Sequence, residues 1–300
     1  MDRLRRLPIT QATGNRNLLT MQTIELVDET YDINTINTYC LSIRVSLDGL
    51  SFCIADKQQE KIVAFKHYQI NSAVDSEDLA IVVNKLLQDE QSLPKHPIKV
   101  TILYVSPNYT LVPEELFVDT KAKELLSITH QLDELDEVHF IKIEEPKAML
   151  IYAFPSTLAR KVKSVFPTAL LMPQVYPFLN RLREEKFSEI PFVGIHVNEN
   201  FFDLAIYSKK NLQLLNSYTY KSPSDVLFFL ANALKTLGLE SATISVAGAT
   251  EEGMAIIPAL KKFYPQTFND PFSGNFTLSY KIRDHVKARF SNLFYSTSCE

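Results

Sequence analysis

The chain has 300 residues, 46% hydrophobic and 22% charged, with seven Gly and a formal net charge of −4. That length exceeds what one core usually carries and predicts two domains, while the charge offers no basic field to nucleic acid or to an anionic membrane surface. Cys40, Cys53 and Cys299 fit neither a zinc site nor a disulfide framework, and the longest apolar run, VLFFLANAL, falls far short of the roughly 20 residues that cross a bilayer, so a reducing, cytoplasmic setting is expected.

Met1 to Thr20 holds Arg3, Arg5, Arg6 and Arg16 without an apolar h-region, which excludes a secretory signal and reads as a disordered tail. Met21 opens the first patterned segment and reads as the natural start. From Tyr39 to Ile70 the segments LSIRVSL, LSFCIAD and KIVAFKHYQI alternate and are joined at Asp48-Gly49 and KQQE, a three-stranded antiparallel meander. A helix follows, with Ser72 and Asp75 as a capping box and Leu79, Val82, Val83, Leu86 and Leu87 on one face. Pro94 and Pro97 close it, and KVTILYV has the apolar character of a buried parallel strand.

Residues 107 to 190 are too long for a bare connection. They predict a helix from about Pro113 to Thr129, strands VHFIKIE and AMLIYAF joined at Glu145-Pro146-Lys147, a helix TLARKVKSVF capped by Ser156 or Thr157, a strand TALLM and a helix over Gln174 to Glu185. A helix over Glu145 to Phe154 is the alternative for the second strand; flanking prolines and a seven-residue apolar run favour the strand.

The first order then returns. FVGIHVN, DLAIYS and LQLLNSYTY make a second meander; Ser222, Pro223, Asp225 and Gly238 delimit a helix, ATISVAG is the parallel strand, and helices are expected around Glu251 to Phe263 and Leu278 to Phe294. Ile43, Val45, Phe52, Ile54 and Tyr68 align without a gap on Ile195, Val197, Leu204, Ile206 and Tyr220, each pair 152 positions apart. Two extra residues just after the third strand bring Ser72 and Asp75 onto Ser222 and Asp225. The chain therefore reads as an internal duplication.

Three antiparallel strands, a crossover helix and a parallel strand, present twice, resemble the duplicated ribonuclease-H-like fold of the actin, sugar-kinase and heat-shock-chaperone superfamily over residues 39 to 295. YDINTINTYCLSIRVSLDGLSFCIAD and LVPEELF are similar to a bacterial family of unknown function with an actin-like ATPase fold. The inserted segment, ending in LMPQVYPFLNRL, resembles the subdomain arrangement of actin-like proteins of pilus assembly and cell division. The fold class expected is α/β, a duplicated ribonuclease-H-like (actin-like ATPase) fold. Its domains are 21–190, with an inserted subdomain at about 107–172, and 191–300.

The resemblance implies ATP in the cleft between the copies, with Asp-x-Gly turns from both hairpins approaching the phosphates and magnesium, and a Gly-rich turn receiving the adenosine. Glycine is required because a side chain would block the approach. Here the first hairpin reads Val45-Ser46-Leu47-Asp48-Gly49, with Leu47 at the aspartate position. The second reads Val197-Asn198-Glu199-Asn200-Phe201-Phe202-Asp203, without glycine, and the third has one glycine, in Gly248-Ala249. No cofactor is expected. Were ATP with magnesium to bind, Ser46, Asp48, Gly49, Asn198, Asn200, Gly248 and Ala249 would hold it; otherwise Asp48-Gly49 is a plain hairpin turn and Gly248 a strand end. An open turn at Asn198 to Phe202 would favour binding, and a plug by Phe201 or Phe202 would oppose it.

Other chemistry is poorly served. Nuclease action on this fold needs carboxylates converging on metals, and Ile43, Val45 and Leu47 alternate only with Arg44 and Ser46. The histidines have no metal spacing, and His196 alone is expected near the cleft. Asp133 to Glu137 reads as a solvated loop, and Arg283, Lys287 and Arg289 as a basic helix end. No catalytic residue or metal site is expected. The leading function is a non-catalytic scaffold or protein-binding module with a degenerate nucleotide site, an unidentified protein as partner and self-association as a further expectation. A weak ATPase or phosphotransferase is the alternative.

Overall fold

Alternation of apolar and polar residues with short turns builds two sheets of one strand plan. The structure, a computed structural model, describes residues 20–35, 37–70, 75–184, 190–248, 255–270, 274 and 276–297. The first sheet holds β1 (Thr20–Val27), β2 (Tyr39–Ser46), β3 (Gly49–Asp56), β4 (Lys61–Ile70), β5 (Lys99–Tyr104) and β9 (Leu170–Pro173), in the order β1-β4-β3-β2-β5-β9. The second holds β10 (Phe192–Val197), β11 (Phe201–Ser208), β12 (Asn211–Thr219), β13 (Thr243–Ala247) and β14 (Thr267–Asn269), in the order β12-β11-β10-β13-β14. In each, an antiparallel meander is followed by two strands parallel to its first.

The crossover helices are α1 (Ser76–Asp89) and α5 (Pro223–Thr236). A three-stranded sheet, β6 (Tyr109–Pro113), β7 (Asp136–Ile143) and β8 (Ala148–Pro155) in the order β6-β8-β7, lies between β5 and β9 in sequence, with α2 (Ala122–Ser127) on it. After it come α3 (Ser156–Val165) and α4 (Val175–Glu184). The remaining elements are α6 (Ile256–Lys261), β15 (Thr277–Leu278), α7 (Asp284–Arg289) and α8 (Ser291–Tyr295).

Registers agree closely. Ile43 faces Phe52 as Ile195 faces Leu204, and both meanders have a bulge at the same place, after Ile54 and after Ile206. The sequence alignment needs one correction. Phe52 faces Lys66 and Leu204 faces Asn216, 150 positions on, so the two extra residues sit in the turn before β4 and Tyr68 corresponds to Tyr218, not Tyr220. That turn has four residues, 57–60, where its counterpart has only Lys209 and Lys210.

Layers follow from the alternating faces. One face of the first sheet, with Leu41, Ile43, Phe52 and Ile54, packs on α1 and α3; one face of the second, with Ile195, Phe202, Leu204 and Ile206, packs on α5 and α6. The opposite faces look inward, where α4 and α8 pack on each other between the sheets. Phe290, Leu293 and Phe294 cover Cys53 and Phe65 of the first sheet, and Phe178, Leu179 and Leu182 cover Phe192, Ala205 and Tyr207 of the second. Gly194 is needed there, since a Cβ would run into Leu182.

Several local expectations change. Tyr109–Pro113, of which only Pro113 falls in the expected helix, pairs with β8, and that helix to Thr129 shrinks to two 3-10 turns and α2, because strand pairing outweighs local propensity. The cap of α1 is Asp75, whose carboxylate accepts from the Glu77 and Asp78 amides; Ser72 lies outside the described residues. Ser222 and Asp225 do form the expected capping box. Pro155 precedes α3 with no side-chain cap, so Ser156 and Thr157 do not serve. The last helix is broken: Leu278 pairs with Ile62 of β4, and Phe290 has non-helical backbone angles between α7 and α8. Arg283 therefore stands at the start of α7, with no side-chain capping bond, rather than at the end of a helix. Asp136 and Glu137 belong to β7, so only part of the acidic run is loop. The expected helix from Glu251 is described only from residue 255, and β14 was not anticipated. Residues 1–19 and 298–300, with Cys299, are outside the described residues, and Thr20 already pairs with Ile70.

Candidate functional site in the cleft

The two hairpin turns meet across the interior, as Ser46 to Asp48 and Asn198 to Phe201 line one cavity of about 230 Å³ with Arg44, Tyr104, Ser106, Pro107 and Thr219. Ligand pockets for drug-sized molecules run to about 300–1,000 Å³, so this one is small for a nucleotide. Of the residues expected to hold ATP, Ser46, Asp48, Asn198 and Asn200 line it; Gly49 and Gly248 do not, and Ala249 is outside the described residues.

Each glycine has a packing reason. A Cβ on Gly49 would come 2.6 Å from the Tyr68 carbonyl oxygen and 2.9 Å from the His67 ring. Gly248 has φ +76°, and a Cβ there would meet the Val197 carbonyl and the His196 ring. Its amide donates to the Ala288 carbonyl at 2.9 Å. Phe202 is fully buried in the outer core, ringed by Tyr218, Tyr220 and Phe229, while Phe201 borders the cavity at 5% exposure. The turn is thus neither open nor plugged by Phe202; one aromatic forms a wall.

Beside the cavity the buried groups are polar. Strand alternation turns Arg44 inward from β2, 8% exposed, where its Nε donates to Gln174 Oε1 at 2.9 Å and its Nη1 to Ser46 Oγ at 2.9 Å. Ser46 Oγ also donates to the Asp48 carboxylate. Gln174, placed between β9 and α4, turns its Nε2 the other way, donating to Asn198 Oδ1 at 2.6 Å and lying 3.2 Å from His196 Nδ1. Asn198 Nδ2 donates to Asp203 at 3.3 Å, and Asp203 accepts from Tyr109 Oη at 2.9 Å and Ser217 Oγ at 2.6 Å. The chain Arg44–Gln174–Asn198–Asp203–Tyr109 therefore links all three sheets.

Electrostatics match this burial. Desolvation pushes the Asp203 carboxyl up to about 6 against the bonds from Ser217, Tyr109 and Asn198. His196 is held well below the ordinary histidine range, first by burial and then by the charges of Arg44 and Arg181. Burial also raises Asp48, but Arg44 and Ser46 outweigh it and its carboxyl stays low. His67, not anticipated here, is lowered to about 4 by burial and by Arg289 and Arg44. Among the described residues no group of His, Cys, Asp and Glu has the arrangement of a metal site.

Arg44, Gln174, Asp203, Tyr109 and Ser217 escaped the sequence reading as site residues. A lone Arg between Ser42 and Ser46, and a lone Asp within FFDLAIY, were the available signals; nothing local marks Gln174.

A family profile described as "Protein of unknown function (DUF3822)" matches residues 28–267. No curated protein matches the chain in sequence. Among solved structures, a Bacteroides thetaiotaomicron protein with an actin-like ATPase fold and unknown function superposes with a TM-score of 0.74 at 20% identity, over 88% of this chain and 96% of that one. A chain of the PilM-PilN type IV pilus biogenesis complex superposes with a TM-score of 0.53 at 11% identity, over 86% and 97%. These likenesses show the fold: mixed α/β with several sheets, matching actin-like ATPase-fold proteins.

Proposed function

This chain belongs to the DUF3822 family of unknown function, and from that starting point we propose that it is a non-catalytic scaffold or protein-binding module whose former nucleotide cleft is bridged by its own side chains. The observation that carries this reading is Gln174, which accepts from Arg44 of the first sheet and donates to Asn198 of the second. The Arg44 and Asn198 side chains are thereby bonded within the protein, and a phosphate that drew on them would have to break those bonds. The bond from the charged Arg44 is worth about 1.5–3 kcal/mol and the neutral Gln174–Asn198 bond about 0.5–1.5 kcal/mol, which a bound phosphate would have to offset. The matched register of the two meanders supports reading them as copies of one unit, with β6–β8 and α2 as an insertion. A pilus-complex chain of the same fold gives the protein-partner side of the proposal its support.

Thermal unfolding with and without about 1 mM MgATP tests it. A ligand at roughly 100 times its Kd adds about 2.7 kcal/mol and raises the midpoint by several degrees. No shift is expected for the wild-type protein. A rise of several degrees, lost in Asp48→Ala, would overturn the proposal in favour of a weak ATPase or phosphotransferase.

A further inference from the structure

The two meanders differ at their outer edges. In the first sheet β4 is covered: β1 pairs antiparallel with it from Thr20 opposite Ile70 to Val27 opposite Ala64, and β15 pairs at Lys61 and Ile62. The counterpart of β4 in the second sheet is β12, at the end of its strand order, and no strand among the described residues pairs with its outer side. The Ser217 amide points to that side, where the neighbouring Asn216 Oδ1 accepts it at 3.0 Å. Strand alternation turns the amides of Leu215 and Thr219 the same way. A nine-residue edge without Pro or an internal charge is the kind that folded proteins normally block.

We propose that β12 is a docking edge for an extended segment of a partner protein that alternates apolar residues and ends in carboxylates, running antiparallel to β12. The intramolecular strand β1 shows what such an edge accepts. Ile24 and Leu26 of β1 pack against the core, Glu25 pairs with Lys66 at 2.7 Å, and Asp28, just past its end, pairs with Lys61 at 2.9 Å. The position equivalent to Lys61 is Asn211, and immediately before it stand Lys209 and Lys210, both exposed and both at positive φ, 51° and 68°. Acidic residues at the C-terminal end of an antiparallel partner strand would meet these two lysines. A second copy of this chain is disfavoured as occupant: a β12–β12 pair about a twofold at Leu215 sets Lys209 opposite the exposed Lys221 at both ends. This inference rests on the edge of the second sheet and not on the state of the cleft.

The probe is the acetylated and amidated peptide TMQTIELVDE, the sequence of residues 20–29, titrated into the whole protein with hydrogen exchange as the readout. Binding should protect the amides of β12 and leave those of β4 unchanged. N-methylation of alternate amides along one edge of the peptide should weaken binding roughly tenfold or more, and methylation along the other edge should not. Lys209→Asp with Lys210→Asp, substitutions that tolerate this backbone region, should weaken it severalfold and flatten its salt dependence. No binding at about 1 mM peptide, protection in β4 instead of β12, or indifference to both methylation patterns would each overturn the proposal.

Discussion

The inward faces of the two sheets are covered by helices, yet the coverings differ in kind. On the first sheet the C-terminal helices lay Phe290, Leu293 and Phe294 over Cys53 and Phe65, an apolar seal. On the second, α4 reaches the sheet through small residues, Gly194 and Ala205, and brings Arg181 into an ion pair with Asp270 beyond β14, both 1% exposed at the side chain. The outward faces, by contrast, are near repeats. Two sheets of the same strand order are thus alike on one side and different on the other, because the outer face only has to present apolar residues to a helix, whereas the inner face must also find partners for buried polar groups.

That contrast breaks most readily at the charged seal. Arg181→Met leaves the Asp270 carboxylate buried without its cation and should cost about 3–5 kcal/mol in urea-induced unfolding. No comparable loss is expected from an exposed cation such as Lys235; an equal loss there would remove the distinction between the two faces.

A second probe uses pH. The folded-state Asp203 carboxyl lies near 6, above its ordinary value near 3.8. The folded protein therefore holds this proton between about pH 4 and 6 while the unfolded chain releases it, so its contribution to stability falls as pH rises through that window. Asp203→Asn keeps an oxygen for Tyr109 and Ser217 but gives up the one that accepts from Asn198, so the quantity to follow is its stability relative to wild type, which should rise by about 2–3 kcal/mol from pH 4 to pH 7. His67, lowered to about 4, acts with the opposite sign over about pH 4 to 6.5, which is why the difference between the two proteins is the quantity to follow. A difference independent of pH would show that Asp203 does not titrate there.

Gly49→Val tests whether the first turn is shaped by packing. The added side chain presses on the Tyr68 carbonyl, which is backbone and cannot rotate away, and should cost about 1–3 kcal/mol with no change in any response to MgATP. Full stability in this variant would contradict that packing account. The smallest effect concerns the crossover helices. Asp75→Ala at α1 and Ser222→Ala at α5 should each lose about 1 kcal/mol in chemical denaturation, though Ser222 keeps part of its cap because Asp225 still accepts the residue-221 and residue-222 amides.

The sequence by itself determined the two meanders, their crossover helices and parallel strands, the Ser222 cap and the positive-φ Gly238 that follows α5, since alternation, turn chemistry and capping act over a few neighbouring residues. It also showed that neither hairpin turn, Ser46 to Gly49 or Asn198 to Phe201, carries an Asp-x-Gly pattern. Only the tertiary structure decided which strand Tyr109–Pro113 would join, where Leu278 would pair and that Tyr68 matches Tyr218, because each depends on a partner distant in sequence or on a turn length. The bridge from Arg44 through Gln174 to Asn198 is the strongest case. Its three residues stand on separate elements, 130 and 24 positions apart, and no local pattern records that two inward-facing strands and the start of a helix will meet at one point.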